Sequence, residues 1–170
     1  MFKWEIWIED KGKCEIDFNK YLEKGIIRVE EEKISLSKSH MKKTDYNIGF
    51  INNLMDQNKF YDWTIIGSYY AIYHASLSLL AIKGYSSKNH LATLCALIHL
   101  YYTKKKLHKE DIELVSRSSI DKEEVSYFVD AKDKRETASY GVSEEFNKKE
   151  AVELSEKTIL FVNKIRGILE

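Results

Sequence analysis

At 170 residues and 20.0 kDa the chain has material for one hydrophobic core, the size of a single domain. Lysine plus arginine number 27 and aspartate plus glutamate 27, so the formal net charge is zero. That excludes a global field drawing the chain to nucleic acid or an anionic membrane; such a contact must be a local patch. A neutral surface also weakly favours self-association. With 44% hydrophobic and 32% charged residues, the composition is that of an ordered globular chain.

Cys14 and Cys95 stand far apart with no Cys-x-x-Cys spacing, which reads as two reduced thiols of a cytoplasmic protein. The stretch Met1 to Asp10 has charges inside its apolar run and no small-residue cleavage site, unlike a signal peptide. Ile65 to Ile82 is the one candidate membrane span, but it contains Ser68, His74, Ser76 and Ser78. A bilayer helix needs about 20 predominantly apolar residues. The segment is expected to be a buried helix of a soluble protein.

The chain contains no proline, so glycines and capping residues must punctuate it. Phe2, Trp4, Ile6 and Ile8 alternate, as do Cys14, Ile16 and Phe18 beyond Asp10-Lys11-Gly12-Lys13, which predicts a short hairpin or extended arm. A short helical turn follows over Asp17 to Lys24, stopping at Gly25, and then an acidic connector, Glu30-Glu31-Glu32. Residues 1–35 are thus read as an N-terminal arm and connector, and 36–170 as one helical folding unit.

Within that unit a long helix is predicted from Leu36 to Gln57, with Ile48, Ile51 and Met55 at three- and four-residue spacing. The next runs from Asp62 or Trp63 to Lys83 and ends at Gly84, a left-handed cap. Another starts at Ser86 or Ser87 and puts Leu91, Leu94, Ile98 and Tyr101 on one stripe; a short one covers Glu110 to Ser116. Asp121-Lys122-Glu123-Glu124 and Asn147-Lys148-Lys149-Glu150 each pair a capping residue with a carboxylate three places on. They predict a helix ending at Gly141 and a final one carrying Ala151, Leu154, Thr158, Phe161, Ile165 and Ile168 on one face. The fold class is all-α, an up-and-down bundle.

Three features bear on chemistry. Gly67, Ala71, Ala75 and Ser78 form a small-residue stripe that lets another helix approach, while Tyr70 and His74, four apart, share a face. That face is either core with a hydrogen-bonded histidine or a polar cluster at a groove. Secondly, Val125, Phe128, Ala131, Arg135 and Ala138 fall on one stripe, with Arg135 where an apolar residue is expected. A guanidinium stays charged, and burying it unpaired is costly. It requires a carboxylate partner, a wet dimer interface or an anionic ligand. Thirdly, Lys104-Lys105-Lys106 follows Tyr101-Tyr102, rings on which a base can stack, although a charged loop explains the run equally simply. The sequence has no phosphate loop and no Gly-x-Gly-x-x-Gly. The five histidines, at 40, 74, 90, 99 and 108, show no zincin or finger spacing, so neither a metal nor another cofactor is expected.

Ser68-Tyr69-Tyr70-Ala71-Ile72-Tyr73-His74-Ala75, followed by Leu79-Leu80, Gly84 and Asn89-His90, resembles the central hairpin of small prokaryotic HEPN proteins (higher eukaryotes and prokaryotes nucleotide-binding). Arg135-Glu136-Thr137-Ala138-Ser139-Tyr140 resembles their second signature, an arginine with an Ala-Asp-Tyr triplet a turn later. The likeness covers roughly residues 36–168. It implies a HEPN-type bundle that works as a homodimer. Many members are metal-independent ribonuclease toxins, some paired with a nucleotidyltransferase antitoxin. Catalytic members carry Arg-x(4–6)-His, in which the arginine neutralises the charge built up on phosphorus and the histidine exchanges the 2′-hydroxyl proton. Here Tyr140 stands in the histidine's place and Ser139 in the aspartate's. A phenol with a pKa of about 10 is a poor base near neutrality.

The resemblance therefore implies a dimeric module that binds a nucleotide or RNA phosphate at Arg135, Ser139 and Tyr140, with Tyr70, His74 and His90 as further binding residues. Arg135 and Tyr140 would be the catalytic pair if it cleaves. A ribonuclease toxin and a purely structural helical interaction domain are the alternatives.

Overall fold

The structure, a computed structural model, describes residues 3–117 and 143–170. The helix expected over Asp121 to Gly141 lies outside the described residues. The described chain is all-helical apart from one small sheet, as the sequence predicts. Its elements are α1 (Lys3–Glu9), α2 (Lys11–Glu23), β1 (Ile27–Val29), α3 (Lys33–Asp56), α4 (Tyr61–Ile82) and β2 (Tyr85–Ser87). Then come α5 (His90–Leu97), a π-helical turn over Ile98–Tyr102, α6 (Lys109–Arg117) and α7 (Ser143–Leu169).

The expected N-terminal hairpin is instead the helix pair α1 and α2. Burial shows which period governs: Cys14 and Phe18 are buried, while Ile16, their partner in the alternating pattern, is 52% exposed. Cys14, Asp17, Phe18 and Tyr21 recur at three and four and line the inner face. Asp10, expected in a turn, is the N-cap of α2, accepting a hydrogen bond from the Lys13 amide at 2.9 Å. Trp7 is buried and its indole N–H donates to Asp17 at 2.9 Å, which locks α1 onto α2. Trp7, Cys14, Phe18 and Ile27 belong to the same hydrophobic cluster as α4, α5 and α7.

The fold also brings the two cysteines together. Cys14 and Cys95 are both fully buried, and each thiol donates to the other's backbone carbonyl at 3.6 Å, joining α2 to α5. β1 and β2 pair antiparallel with Ile27 opposite Ser87 and Val29 opposite Tyr85. The strand takes up the serines expected to open a helix. Asn89 caps α5 instead, its side chain accepting from the Ala92 amide at 2.9 Å. Gly84, at φ +84°, ends α4 as anticipated.

α4 sits at the centre, against α3 on one side, α7 on another, and α5 and β2 beyond. It is long and apolar enough to span a membrane, yet 67% of its most apolar window is buried in the protein, compatible with a soluble chain. Its serines stay satisfied within the helix: Ser68, Ser76 and Ser78 donate to Thr64, Ile72 and Ala75 carbonyls. Tyr101 reaches across from the π turn to donate to the Leu79 carbonyl at 2.7 Å. At the periphery, Lys164 of α7 grips Asp111 of α6 at 2.7 Å, and Arg166 holds Asp45 of α3 at 2.6 Å.

The small-residue stripe meets its expected neighbour. A Cβ added at Gly67 would lie 3.1 Å from the Ile51 side chain of α3 and 3.3 Å from Phe50. Ala71, Ala75 and Ser78 are fully buried. Replacing Ala71 with Leu should overpack this contact and lower the unfolding free energy by about 1–3 kcal/mol. Leu160→Ala, at a position 70% exposed, should leave the denaturation midpoint nearly unchanged.

Candidate functional site

α3 and α4 run antiparallel, so advancing from His40 to Phe50 along α3 retreats from His74 to Gly67 along α4. One edge of this seam carries His40, Lys43, Tyr46 and Phe50 from α3. Trp63, Gly67, Tyr70 and His74 from α4 repeat at three and four opposite them. Several rings on this edge face solvent: Tyr46 is 69% exposed, Trp63 46% and Tyr70 42%. The Lys43 ammonium lies over the Tyr46 ring, 4.8 Å from its centroid.

His40 and His74 meet across the seam. Their Nδ1 atoms are 3.2 Å apart and their ring centroids 5.5 Å, so the nitrogens lie close to the line joining the rings. That is the alignment of one N–H···N hydrogen bond, in which one ring carries its proton on Nδ1 and the other offers a lone pair. Burial holds the His40 pKa below its ordinary value. His74 is pushed down to about 4 by burial first, then by His40 and the Lys43 ammonium. Both rings are therefore neutral at pH 7.

Tyr73 extends the cluster. Its ring lies 5.9 Å from that of His74 and 4.2 Å from that of His90, the first residue of α5. Burial raises the Tyr73 pKa, and a hydrogen bond with Thr93 works against that rise.

The residues expected to bind are thus placed as follows. His74 pairs with His40, His90 packs on Tyr73, and Tyr70 stands exposed one turn along α4 from His74. Arg135, Ser139 and Tyr140 lie outside the described residues. His40 and Tyr73 were not among the expected binding residues. The one local signal for His40 is that it shares α3's inward edge with Thr44 and Asn47, polar side chains at helical spacing that are buried.

Elsewhere the structure narrows the options. Lys104, Lys105 and Lys106 are exposed, but Tyr101 is buried with its hydroxyl bound, so it gives them no stacking platform. Among the described residues no group of three or more His, Cys, Asp or Glu side chains converges. A surface hollow of about 570 Å³ opens beside the small sheet, where Arg28, Glu30, Ser86, Ser87 and Asn89 line it. Several of its polar groups are partnered locally: Arg28 with the Gly25 carbonyl, Ser86 with Glu30, and Ser87 with Asn89.

No protein-family model, no curated protein and no solved structure matches this chain.

The histidine pair makes stability depend on pH in a definite direction. A histidine whose folded pKa lies below its unfolded value stabilises the fold fully above about 6.5, the unfolded value. That contribution is lost as pH falls from there through about 4, the folded value of His74. Urea unfolding between pH 7.5 and 4.5, with chelator present, should show falling stability across this window. The slope should flatten in His74→Gln; an equal slope in that variant would remove the pair as its source.

Proposed function

We propose that the chain is a HEPN-type module, dimeric and cytoplasmic, that binds a nucleotide or RNA through its phosphate. The observation that carries this reading is where the described motif residues fall. His74 and His90 join Tyr73 and His40 in one cluster, beside exposed Tyr70 and Tyr46 and the ammonium of Lys43. Exposed rings give bases a stacking surface, and neutral imidazoles give hydrogen-bond donors and acceptors. Arg135, Ser139 and Tyr140 are assigned the phosphate: the guanidinium fork matches two phosphate oxygens, and the hydroxyls donate further bonds. The likeness to HEPN toxins extends the proposal to a toxin–antitoxin component with a nucleotidyltransferase-type partner.

Binding rather than cleavage is favoured by the chemistry of the candidate bases. Tyr140 replaces the histidine of Arg-x(4–6)-His, and His74, at a pKa of about 4, accepts a proton weakly at neutral pH. The metal-independent ribonuclease is thus the weaker alternative. A structural interaction domain has one observation in its favour, the exposed rings of Tyr46, Trp63 and Tyr70.

RNA binding at stepped salt concentrations tests the proposal. Affinity should fall with salt, vanish in Arg135→Ala and weaken in Tyr140→Phe, while light scattering reports about twice the monomer mass. Tyr140→His should gain cleavage, because imidazole titrates near pH 6.5. Unchanged binding in Arg135→Ala, together with a sharp loss of stability, would make that arginine an ion-pair partner and end the phosphate assignment.

A further inference from the structure

The His40–His74 contact has a second chemical capacity. Two imidazole nitrogens bound at about 2.1 Å to a tetrahedral ion stand about 3.4 Å apart. The two Nδ1 atoms already lie 3.2 Å apart, each ring projecting from a different helix of a packed pair. Both side chains are half-buried, so part of each residue remains reachable from solvent. Among the described residues neither ring is paired with a carboxylate, which leaves the imidazoles available as neutral ligands. Imidazole suits zinc, copper and nickel, and these ions accept two protein nitrogens with solvent completing the sphere.

We propose that His40 and His74 form a two-imidazole site for a divalent transition-metal ion, with its other positions open to water or an exogenous ligand. The ion takes the place of the shared proton, which moves by exchange with solvent to Nε2 of the ring that had carried it, so both rings ligate as neutral imidazoles. The rings must swing from their head-on alignment until both lone pairs converge on one side of the line between the nitrogens. Lys43 opposes the cation, since its ammonium acts on His74 through space. This inference rests on the α3–α4 seam alone and does not require the HEPN reading, because metal binding is assayed without RNA.

Calorimetric titration of the full chain with Zn²⁺ is the test. One equivalent per chain should bind. His40→Ala and His74→Ala should each weaken it by about 10- to 100-fold or more, at or beyond the loss typical of an outer-shell partner. His108→Ala, at an exposed histidine beyond the seam, should change nothing, and Lys43→Ala should tighten binding. Electron paramagnetic resonance of the Cu²⁺-loaded native chain should show coupling to two equivalent nitrogens. That spectrum decides the question even if an alanine variant loses its helical circular dichroism. Absence of saturable Zn²⁺ binding, or binding that survives both histidine substitutions in folded protein, would overturn the proposal, as would a Cu²⁺ spectrum without two nitrogens.

Discussion

A helix lined almost all round by apolar and small residues must be covered on every side, and α4 places that demand on the rest of the chain. From Thr64 to Ala81 most of its positions are buried. Glycine and alanine on one face admit α3 at close range, and the opposite faces take α5, β2 and α7. Packing this tight makes unpaired polar groups costly, and among the described residues the Thr64 hydroxyl is one buried side-chain group left without a partner. The serines of α4 accordingly bond back to their own helix, and Tyr101 satisfies the Leu79 carbonyl from outside.

The same demand gives the seam edge its character. Where α3 and α4 part toward solvent, the small residues give way to rings: Trp63, Tyr70 and His74 from one helix, His40, Tyr46 and Phe50 from the other. His40 and His74 sit deep enough that burial lowers the pKa of each, yet close enough to satisfy one another. Their contact belongs to packing and chemistry together. It joins the two helices about two turns in from the start of α3 and the end of α4, and it concentrates nitrogen ligands and hydrogen-bonding groups beside exposed aromatic surface.

Much of the helical core was legible in the sequence because its signals are local. Gly84 marked the end of α4, the stripe through Ala151, Phe161 and Ile165 marked the inner face of α7, and Gly67 with Ala71 marked the close helix contact. The N-terminal segment misled because its apolar residues alternate and also recur at three and four. Only burial separates the two, with Phe18 inside and Ile16 outside. β1 and β2 are three-residue strands joined across the whole length of α3 and α4, too short to carry a periodic signal. The thiol contact of Cys14 with Cys95 and the ring contact of His40 with His74 span 81 and 34 residues. No spacing rule reaches that far. Tyr70, His74 and His90 were singled out by motif, whereas His40 became visible only once α3 was laid beside α4.

The central claim is that His40 and His74 act as one hydrogen-bonded unit across the α3–α4 seam. Long-range ¹H–¹⁵N correlation of the imidazoles in the metal-free chain at pH 7 tests it most directly. Both rings should be neutral, with one of them in the Nδ1–H tautomer, and His40→Gln should shift the His74 nitrogens. Two independent rings, each protonating near pH 6.5 and each carrying its proton on Nε2 when neutral, would contradict the account.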